Sequence, residues 1–377
     1  MYTARVSKKT GKEGLQTLKN LPGDRQSNCV QSPQDQPMSQ RRLADHLGLS
    51  PATVSLVLNN SPVADAIPQE TKDRVFAAAR ELNYRPNFVA RSLRTQRSFM
   101  IGVIVPEVSE GYAATVMGGI EDQLLEEGYF YLVASHRHKV DLIDEYPRLL
   151  QSRSVEGLIA VDTPWSQQIA IPVVAISGRG EFSGITNIVL DHERAAELAL
   201  SHLYHLGHRR IAFIKGQAFS SDTEVRWNAI TRAANRLRLE IRTELVVQLE
   251  GDSPSPELGY EVTHQLLANR QLFTALFAFN DISAIGAIGA LRESGQRVPE
   301  DVSVVGFDDI QSAAFQNPGL TTVRQPLRRM GRLAAETVLR RITSPAPQDP
   351  GRRIMMEPEF IVRASTCAVA SARKSVR

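Results

Sequence analysis

Polar side chains at the ends of predicted strands are the residues of this chain best suited to bind a small ligand. Asn280 and Asp281 follow one apolar run, Asp308 and Asp309 follow another, and Arg226 opens a helix after a third. Carboxylates accept hydrogen bonds from hydroxyl groups, and a guanidinium donates them in a fixed fork, so the set suits a polyhydroxylated ligand. The alternative is structural, because Asp281 and Asp309 fit helix N-caps and Arg226 could form an internal ion pair.

Three further residues near strand ends are candidates for the same pocket: Asp162, Trp165 and Trp227. Either tryptophan could stack on the face of a sugar, but a tryptophan at such a position is as often part of the core.

Catalytic and metal chemistry is not indicated. The chain has no G-x-S-x-G, Walker or G-x-G-x-x-G motif, and adjacent residues such as Asp308 and Asp309 usually point apart. His202, His205 and His208 are spaced by three, but no cysteine or second cluster joins them. We therefore expect no enzyme, no metal and no cofactor.

Alternating strands and helices must position the candidate ligand residues. Strands are predicted at 100–105, 130–134, 157–161, 173–176, 211–214, 245–248, 275–278 and 303–307. Helices are predicted at 112–127, 141–152, 192–206, 223–237, 257–268, 281–294 and 326–342. The alternation restarts after residue 210, which predicts an α/β domain of two doubly wound lobes with a cleft at the strand ends. We expect the chain to cross between the lobes near 186–187, 320–323 and 350.

A different pattern precedes residue 99. Gln40 to Leu47 and Ser50 to Asn59 read as two short helices, with Gly48 in the turn between them. Ser50 can cap the second helix, and Pro51 suits its first position. This is a helix-turn-helix pattern, although an ordinary helical hairpin has the same features. Pro68 begins a third predicted helix, whose apolar residues Val75, Phe76, Ala79 and Leu82 can close a small core.

Charge separates this front part from the rest of the chain. Residues 1–98 contain 15 Lys and Arg against 8 Asp and Glu, a net charge of +7, while the whole 377-residue chain has a net charge of +3. A basic front part indicates a module that binds a polyanion. Residues 1–37 are polar and read as a disordered extension, either a basic arm or no part of the natural protein. Two distant cysteines, no apolar run that could span a bilayer and no secretory signal predict a cytoplasmic protein without disulfides.

Three segments together resemble the LacI/GalR family of bacterial transcription regulators. They are SPATVSLVLN at 50–59, YRPNFVARSL at 84–93 and MIGVIVP at 100–106, and the resemblance extends over residues 38–363. It implies a helix-turn-helix domain at 38–84, a hinge helix and linker at 85–98, and a ligand-binding and dimerisation domain at 99–363 that is similar to periplasmic binding proteins. Residues 364–377 remain as a C-terminal tail without leucine heptads, so we expect a homodimer and not a coiled-coil tetramer.

The resemblance also assigns roles to individual residues. It places Pro51, Ala52 and Leu56 against DNA bases, whereas many relatives have Arg at the Leu56 position. Leu93 matches a hinge residue that opens a base step in the minor groove; the alternative is a linker leucine that packs on its own domain. Arg226, Asn280 and Asp308 match effector contacts, and Tyr112 matches an aromatic one whose neighbour, often also aromatic, is Ala113 here. The full predicted DNA-binding set is Ser50, Pro51, Ala52, Thr53, Ser55, Leu56, Asn59, Asn87, Ala90, Arg91, Leu93 and Arg94.

These observations predict a regulator, expected to be a repressor, that binds a pseudo-palindromic operator as a dimer. A small polar effector, sugar-like or nucleoside-like, would bind the cleft and change the affinity for the operator. The alternatives are a stand-alone solute-binding sensor and a doubly wound enzyme. Neither alternative explains residues 38–98, because a sensor or an enzyme would keep its function without them.

Overall fold

The chain folds as two units, Met1–Arg91 and Ser92–Arg377. A computed structural model describes residues 38–59, 61–85, 92, 96–108, 111–165, 167–178, 184–252, 255–344 and 352–369. The predicted extension at 1–37 lies outside these described residues.

In its described residues, the first unit consists of three α-helices, and we call it the head. They are α1 (Gln40–Leu47), α2 (Pro51–Leu58) and α3 (Gln69–Glu81), with a 3-10 helix at Pro62–Ala66 between the last two. Their core consists of Leu43, Ala44, Val54, Val57, Val75 and Ala78. The prediction that Phe76 belongs to this core is wrong: its side chain is 36% exposed. Val75 and Ala78 set the inward face of α3, and the residue directly after Val75 projects about 100° around the helix from it.

The first lobe of the second unit contains a six-stranded parallel sheet. Its strands stand in the order β11-β5-β4-β3-β1-β2. The elements that build it are β1 (Met100–Val105), α4 (Tyr112–Glu126), β2 (Phe130–Ser135), α5 (Val140–Ser152), β3 (Gly157–Val161), β4 (Val173–Ile176) and β5 (Thr186–Leu190). Strands β1, β3 and β4 are almost wholly buried, as strands covered by helices on both faces must be.

The second lobe repeats this architecture with one antiparallel edge strand. Its strands stand in the order β12-β10-β9-β8-β6-β7, and β12 runs antiparallel to β10. The elements are α6 (His192–His205), β6 (Ile211–Lys215), α7 (Asp222–Arg236), β7 (Val246–Gln248), α8 (Pro256–Ala268), β8 (Ala275–Phe277), α9 (Asp281–Glu293), β9 (Ser303–Asp308), α10 (Gln311–Ala314) and β10 (Thr321–Arg324).

The chain passes between the lobes three times. Strand β5 belongs to the first lobe and α6 packs against the second, so the first crossing lies at Asp191. The second crossing lies at 325–326, because α11 (Leu327–Thr343) returns to pack on α4. The third lies at 357–358, between β11 (Arg353–Met356) and β12 (Glu359–Ile361). The predicted crossings were therefore misplaced by a few residues, since two of the segments chosen for them are strands.

Helices α4 and α11 approach each other closely enough to require glycine. A Cβ atom on Gly119 would lie 1.9 Å from the backbone oxygen of Arg328, and one on Gly331 would lie 2.0 Å from that of Val116. Their absence lets the returning helix lie directly on α4 and so complete the first lobe.

The start of the predicted C-terminal tail is part of the second lobe. Ser365 is fully buried, and its hydroxyl accepts the N–H of Thr321 at 2.8 Å and donates to the oxygen of Val304 at 2.6 Å. Hydrogen bonds to the lobe continue as far as Val369. In the part of the chain that the structure describes, no helix has the length and apolar character needed to cross a membrane.

Candidate functional site

The turn between α1 and α2 has the geometry that the sequence predicts. Gly48 ends α1 in the left-handed conformation with φ +65°, and its backbone N–H is bonded to α1 carbonyl groups. The Ser50 hydroxyl then accepts the N–H of Thr53 at 3.0 Å and caps α2, whose first residue is Pro51. Two helices joined this tightly, each with its own cap, form a helix-turn-helix.

Helix α2 has one buried face and one free face. Val54 and Val57 are buried in the head, whereas Pro51 and Ala52 are exposed and Leu56 is half-buried but absent from the head core. The polar side chains of the free face are bonded among themselves, since Ser50 Oγ lies 2.9 Å from Thr53 Oγ1 and Asn59 Nδ2 donates to Ser55 Oγ at 3.3 Å and to the Ser55 backbone oxygen at 2.7 Å. The predicted hinge residues Asn87, Ala90, Arg91, Leu93 and Arg94 lie outside the described residues.

A cavity of about 850 Å³, counted to its open mouth, lies between the two lobes of the second unit. Residues from both lobes line it: Pro106, Glu107, Tyr112, Ala113, His138, Asp162, Gln217, Phe219, Ser220, Asp222, Arg226, Asp252, Phe279, Asn280, Ile282 and Asp308. Five of the seven predicted ligand residues are among them, namely Tyr112, Asp162, Arg226, Asn280 and Asp308.

Arg226 is held firmly in the wall of this cavity. It is 4% exposed, its guanidinium carbon lies 3.6 Å from the centre of the Phe307 ring, and Nη1 donates to the backbone oxygen of Phe279. Its Nη2 lies 3.4 Å from a carboxylate oxygen of Asp222, whose other oxygen lies 3.4 Å from His192 Nε2. The pKa of Asp222 is raised by burial, but the nearby His192 and Arg226 outweigh this effect and leave it below its usual value. Arg226 therefore forms an internal ion pair and also lines the cavity, so the two alternatives do not exclude each other.

Asp308 and Asn280 meet the cavity from neighbouring strands of the second lobe. Asp308 is 6% exposed, and its Oδ1 accepts from Gln325 Nε2 at 2.6 Å. Burial raises the pKa of Asp308 to about 7, although the charge of Arg226 partly opposes the shift. Asn280 is the N-cap of α9, with Oδ1 accepting the N–H of Ser283 at 2.9 Å, and it lines the cavity as well.

Asp162 connects the first lobe to the second. Its Oδ1 accepts the backbone N–H of Ser221 at 2.9 Å, and its Oδ2 lies 3.4 Å from Ser220 Oγ. Burial, followed by the charge of Asp222, raises the pKa of Asp162 to about 7. A second contact across the cleft is the stack of His138 on Phe219, whose ring centres are 3.8 Å apart. The lobes are thus closed on one another over the cavity.

Several residues that we considered for the cavity or for a helix cap are instead packed in the protein interior. Trp165 is buried in the core of the first lobe, and Trp227 packs edge-on against Phe213, so neither lines the cavity. Asp281 is not the cap of α9: its carboxylate is fully buried and binds the Thr322 hydroxyl and the N–H of Ile310. These are corrections to the predicted pocket, because a place near a strand end did not determine the direction of a side chain.

The aspartate and the histidines that we considered as ligand, cap or metal residues also bind protein atoms. Asp309 pairs with Arg324 and Arg363 at 2.7 and 2.6 Å. His202 and His208 form hydrogen bonds with Thr366 and Thr274. Within the described residues, no three His, Cys, Asp or Glu side chains are grouped as metal ligands.

Among the lining residues that the sequence did not predict are His138, Phe219, Asp222 and Phe279. His138 follows β2, Phe219 and Asp222 follow β6, and Phe279 follows β8. We selected Asn280 and Asp308 because ligands bind at the carboxyl ends of the strands in such sheets, and the same expectation applies to all of these residues. It was not applied to aromatic residues within the loops, and it passed over Asp222, which begins the same helix that contains Arg226.

Comparisons with known proteins agree with this geometry. Residues 43–87 match the model of bacterial regulatory proteins of the lacI family, and residues 200–366 match the periplasmic binding protein-like domain. The chain is 33% identical to the HTH-type transcriptional repressor PurR of Haemophilus influenzae over 340 residues, which cover 87% of this chain and 98% of that one.

Solved structures give the same result. The Lac repressor dimer bound to operator and the anti-inducer ONPF matches with a TM-score of 0.78 and 28% identity, covering 88% of this chain and 100% of that one. A ribose-bound LacI family regulator from Enterococcus faecium matches with a TM-score of 0.62 and 27% identity, covering 72% of this chain and 100% of that one. The chain therefore belongs to the lacI family of bacterial regulatory proteins, as a ligand-responsive, DNA-binding transcription regulator and not an enzyme.

Proposed function

We propose that this chain is a repressor that binds a pseudo-palindromic operator as a homodimer and changes its operator affinity when a small polar effector occupies the cleft. The observation that carries the proposal is the capped helix-turn-helix with an exposed face on α2, in one chain with a two-lobed domain whose lobes both line one cavity. The two-fold symmetry of a dimer would match the symmetry of its operator. The operator-bound dimer of the Lac repressor supports this assignment.

The exposed residues of α2 divide into two groups in this proposal. Pro51, Ala52 and Leu56 face the base edges and, being apolar, sense thymine methyl groups and the shape of the groove. Ser50, Thr53, Ser55 and Asn59 contact phosphates, and their mutual hydrogen bonds hold them in position before DNA arrives.

Much of the sequence preference then comes from the hinge. Apolar side chains cannot make the bidentate contact with guanine that Arg makes. We assign the preference to the hinge residues Asn87, Ala90, Arg91, Leu93 and Arg94 and to the ease with which the operator bends.

The effector contacts are Tyr112, Asp162, Arg226, Asn280 and Asp308, to which we add His138 and Phe219. These residues come from both lobes and already touch across the cleft through Ser221 and Phe219. A ligand that stabilises or separates these contacts changes how the lobes pack, and operator DNA must change effector affinity by the same factor. The ribose-bound relative supports a small polar ligand as the effector.

The test is a selection of genomic fragments by the purified full-length protein, repeated at two salt concentrations. We expect a pseudo-palindromic site whose affinity falls steeply with salt, because phosphate contacts release counterions. Ala52→Glu should abolish this binding by placing a charge on the free face of α2. Ala77→Glu is the matched control, since Ala77 is exposed on α3 and has no assigned contact. Retained selection by the Ala52→Glu protein would contradict the assigned face.

A further inference from the structure

The turn that presents Asp308 to the cavity has an unusual backbone. Asp308 has φ +111° and Asp309 has φ +56°, and residues that carry a side chain rarely adopt positive φ values. Asp308 is the last residue of β9, and its buried side chain lines the cavity. Two consecutive residues in such conformations persist only where the surrounding structure holds them. The contacts of this turn therefore decide where the Asp308 carboxylate points.

Asp309 anchors the turn through two arginines. Its side chain is 8% exposed, and its carboxylate oxygens accept from Arg363 Nη2 at 2.6 Å and from Arg324 Nε at 2.7 Å. Arg324 is 43% exposed and also pairs with Glu359, whereas the side chain of Arg363 is 19% exposed. Arg363 is therefore the more buried of the two anchors.

Arg363 is itself fixed at a second point. It follows β12, and its Nη1 donates to the backbone oxygen of Leu320 at 2.7 Å. Its own backbone N–H is bonded to the hydroxyl of Thr321 at 3.0 Å. One planar guanidinium thus joins the turn after β9 to the segment that leads into β10, which the compact ammonium of a lysine is poorly shaped to do.

Asp281 supports the same turn from the start of α9. Its Oδ2 accepts the backbone N–H of Ile310 at 2.9 Å, and its Oδ1 accepts from the Thr322 hydroxyl at 2.6 Å. A Cβ atom on Gly306 would lie 2.2 Å from Asp281 Oδ1, so this carboxylate packs directly on β9. The turn is therefore held on two sides, and Asp308 has little freedom to turn away from the cavity.

We infer that Arg363 is a positioning residue of the effector site, because through Asp309 it holds the turn that directs the Asp308 carboxylate into the cleft. This inference rests on the proposed function of the cleft. It adds to the site a residue that is not among the described residues of the cavity wall. It also gives the chain beyond its last strand a part in ligand recognition.

The titration of Asp308 reports the position of its carboxylate. Burial raises its pKa to about 7, against the opposing effects of Arg226 and Gln325 and with a smaller contribution from Asp222. A loosened turn lets the carboxylate reach water, so its pKa should fall toward that of an ordinary aspartate, about 3.9. Loss of the Arg363 charge alone has the opposite sign, since removing a positive charge raises the pKa of a nearby carboxyl. The direction of the shift thus separates a loss of position from a loss of charge.

NMR of isotope-labelled aspartate carboxyl carbons in the full-length protein, followed from about pH 4 to about pH 9, measures the midpoint of this titration. The Asp308 signal is the one missing from Asp308→Asn, which separates it from that of Asp162, whose pKa is also about 7. We expect Arg363→Gln to lower the Asp308 midpoint by at least about one pH unit, a tenfold change in proton affinity. Arg363→Lys should lie between Arg363→Gln and wild type, because it keeps the charge but not the fork. Arg297→Gln is the matched control, since it breaks an ion pair with Asp301 outside the cavity and should leave the midpoint unchanged.

A second pair of variants keeps the inference testable if Arg363→Gln does not fold. Asp309→Gly and Asp309→Ala both lose the two ion pairs, but only alanine resists φ +56°. We expect the Asp308 midpoint to fall in both variants, and to fall further in Asp309→Ala.

The inference is wrong if Arg363→Gln leaves the Asp308 midpoint in place or raises it, or if both Asp309 variants keep the wild-type value. Fragment selection with the wild-type protein tests the proposed function separately. A lowered midpoint in a protein that selects no operator would contradict the proposed function and leave the positioning of Asp308 by Arg363 standing. An operator selected by a protein whose midpoint does not shift would support the proposed function and overturn this inference.

Discussion

The carboxylate of Asp162 in the first lobe accepts the backbone N–H of Ser221 in the second lobe at 2.9 Å. Ser221 immediately precedes α7, so the carboxylate lies at the positive end of a helix dipole. The stack of His138 on Phe219 lies across the same cleft. These contacts bridge the two lobes, and they can be tested separately from DNA binding.

Removing the Asp162 carboxylate should open the cleft. We expect Asp162→Ala to lower the ratio of closed to open molecules about tenfold, since one hydrogen bond to a charged group contributes about 1.5–3 kcal/mol. Energy transfer between dyes attached to the two lobes measures this ratio in the full-length protein. Asp301→Ala is the control, because its ion pair with Arg297 lies within one lobe. An unchanged distribution of dye distances in Asp162→Ala would show that the bond does not hold the lobes.

The stability of the ligand-free protein should depend on the protonation of Asp308. The folded-state pKa is about 7, well above that of an unfolded aspartate, about 3.9. The stabilising contribution of this group is therefore complete below about pH 4 and is lost as the pH rises to about 7. Asp308→Asn removes this loss of stability, so its free energy of unfolding should exceed that of wild type by about 4 kcal/mol at pH 8 and by about 1.5 kcal/mol at pH 5.

Urea denaturation at about pH 5 and about pH 8 measures the difference. Asp301→Asn serves as the comparison, because hydrogen bonds from Arg297 lower the pKa of Asp301 to about 2. The free energy of unfolding of Asp301→Asn, relative to that of wild type, should not increase between the two pH values. A gain for Asp308→Asn that is equal at both pH values would show that charge is not its cause.

Leu56 and Val57 are neighbours that should respond in opposite ways to truncation. Val57 is 1% exposed in the head core, so Val57→Ala should destabilise the head by about 1–3 kcal/mol. Leu56 is outside that core, so Leu56→Ala should cost less than about 1 kcal/mol and act on operator preference. Hydrogen exchange of head amides in the full-length protein measures the first effect, and fragment selection measures the second. Equal losses of protection in both variants would place Leu56 in the core.

Substitution of Gly48 tests the conformation of the turn between α1 and α2 without disturbing the packing of the head. A Cβ atom at Gly48 would meet no heavy atom within 4 Å, but the residue has φ +65°. Gly48→Ala should therefore cost about 1 kcal/mol through backbone conformation alone, and Gly48→Asn should cost less. Hydrogen exchange in α1 and α2 compares the variants. If both substitutions cost the same, the left-handed conformation is not the reason for this glycine.

Most of the elements were predictable because their signals are local. The start of α2 follows from Ser50 and Pro51, and strand β1 follows from an uninterrupted apolar run. Neither signal needs knowledge of the rest of the chain. Strands β5 and β10 were harder, since they pair at the points where the chain is about to change lobes and were mistaken for connections. A sequence pattern contains no record of which sheet a strand joins.

The site was predictable as a location and less so as a set of side chains. The expectation that ligands bind at strand ends found Asp308 and Asn280, but it also selected Trp165, which turns into the core of its own lobe. Asp281 and Asp308 look alike in sequence, each following a strand. Only the packed structure directs Asp281 to Thr322 and leaves Asp308 an oxygen facing the cavity.

Gln325 occupies the second passage between the lobes and donates its amide to Asp308 at 2.6 Å. The only other polar atom of this side chain, Oε1, is buried and has no hydrogen-bond partner among the described residues. Its Nε2 donor therefore ties the interlobe connection directly to the carboxylate that faces the cavity. A ligand that competed for that carboxylate would therefore act directly on a hydrogen bond of the interlobe connection.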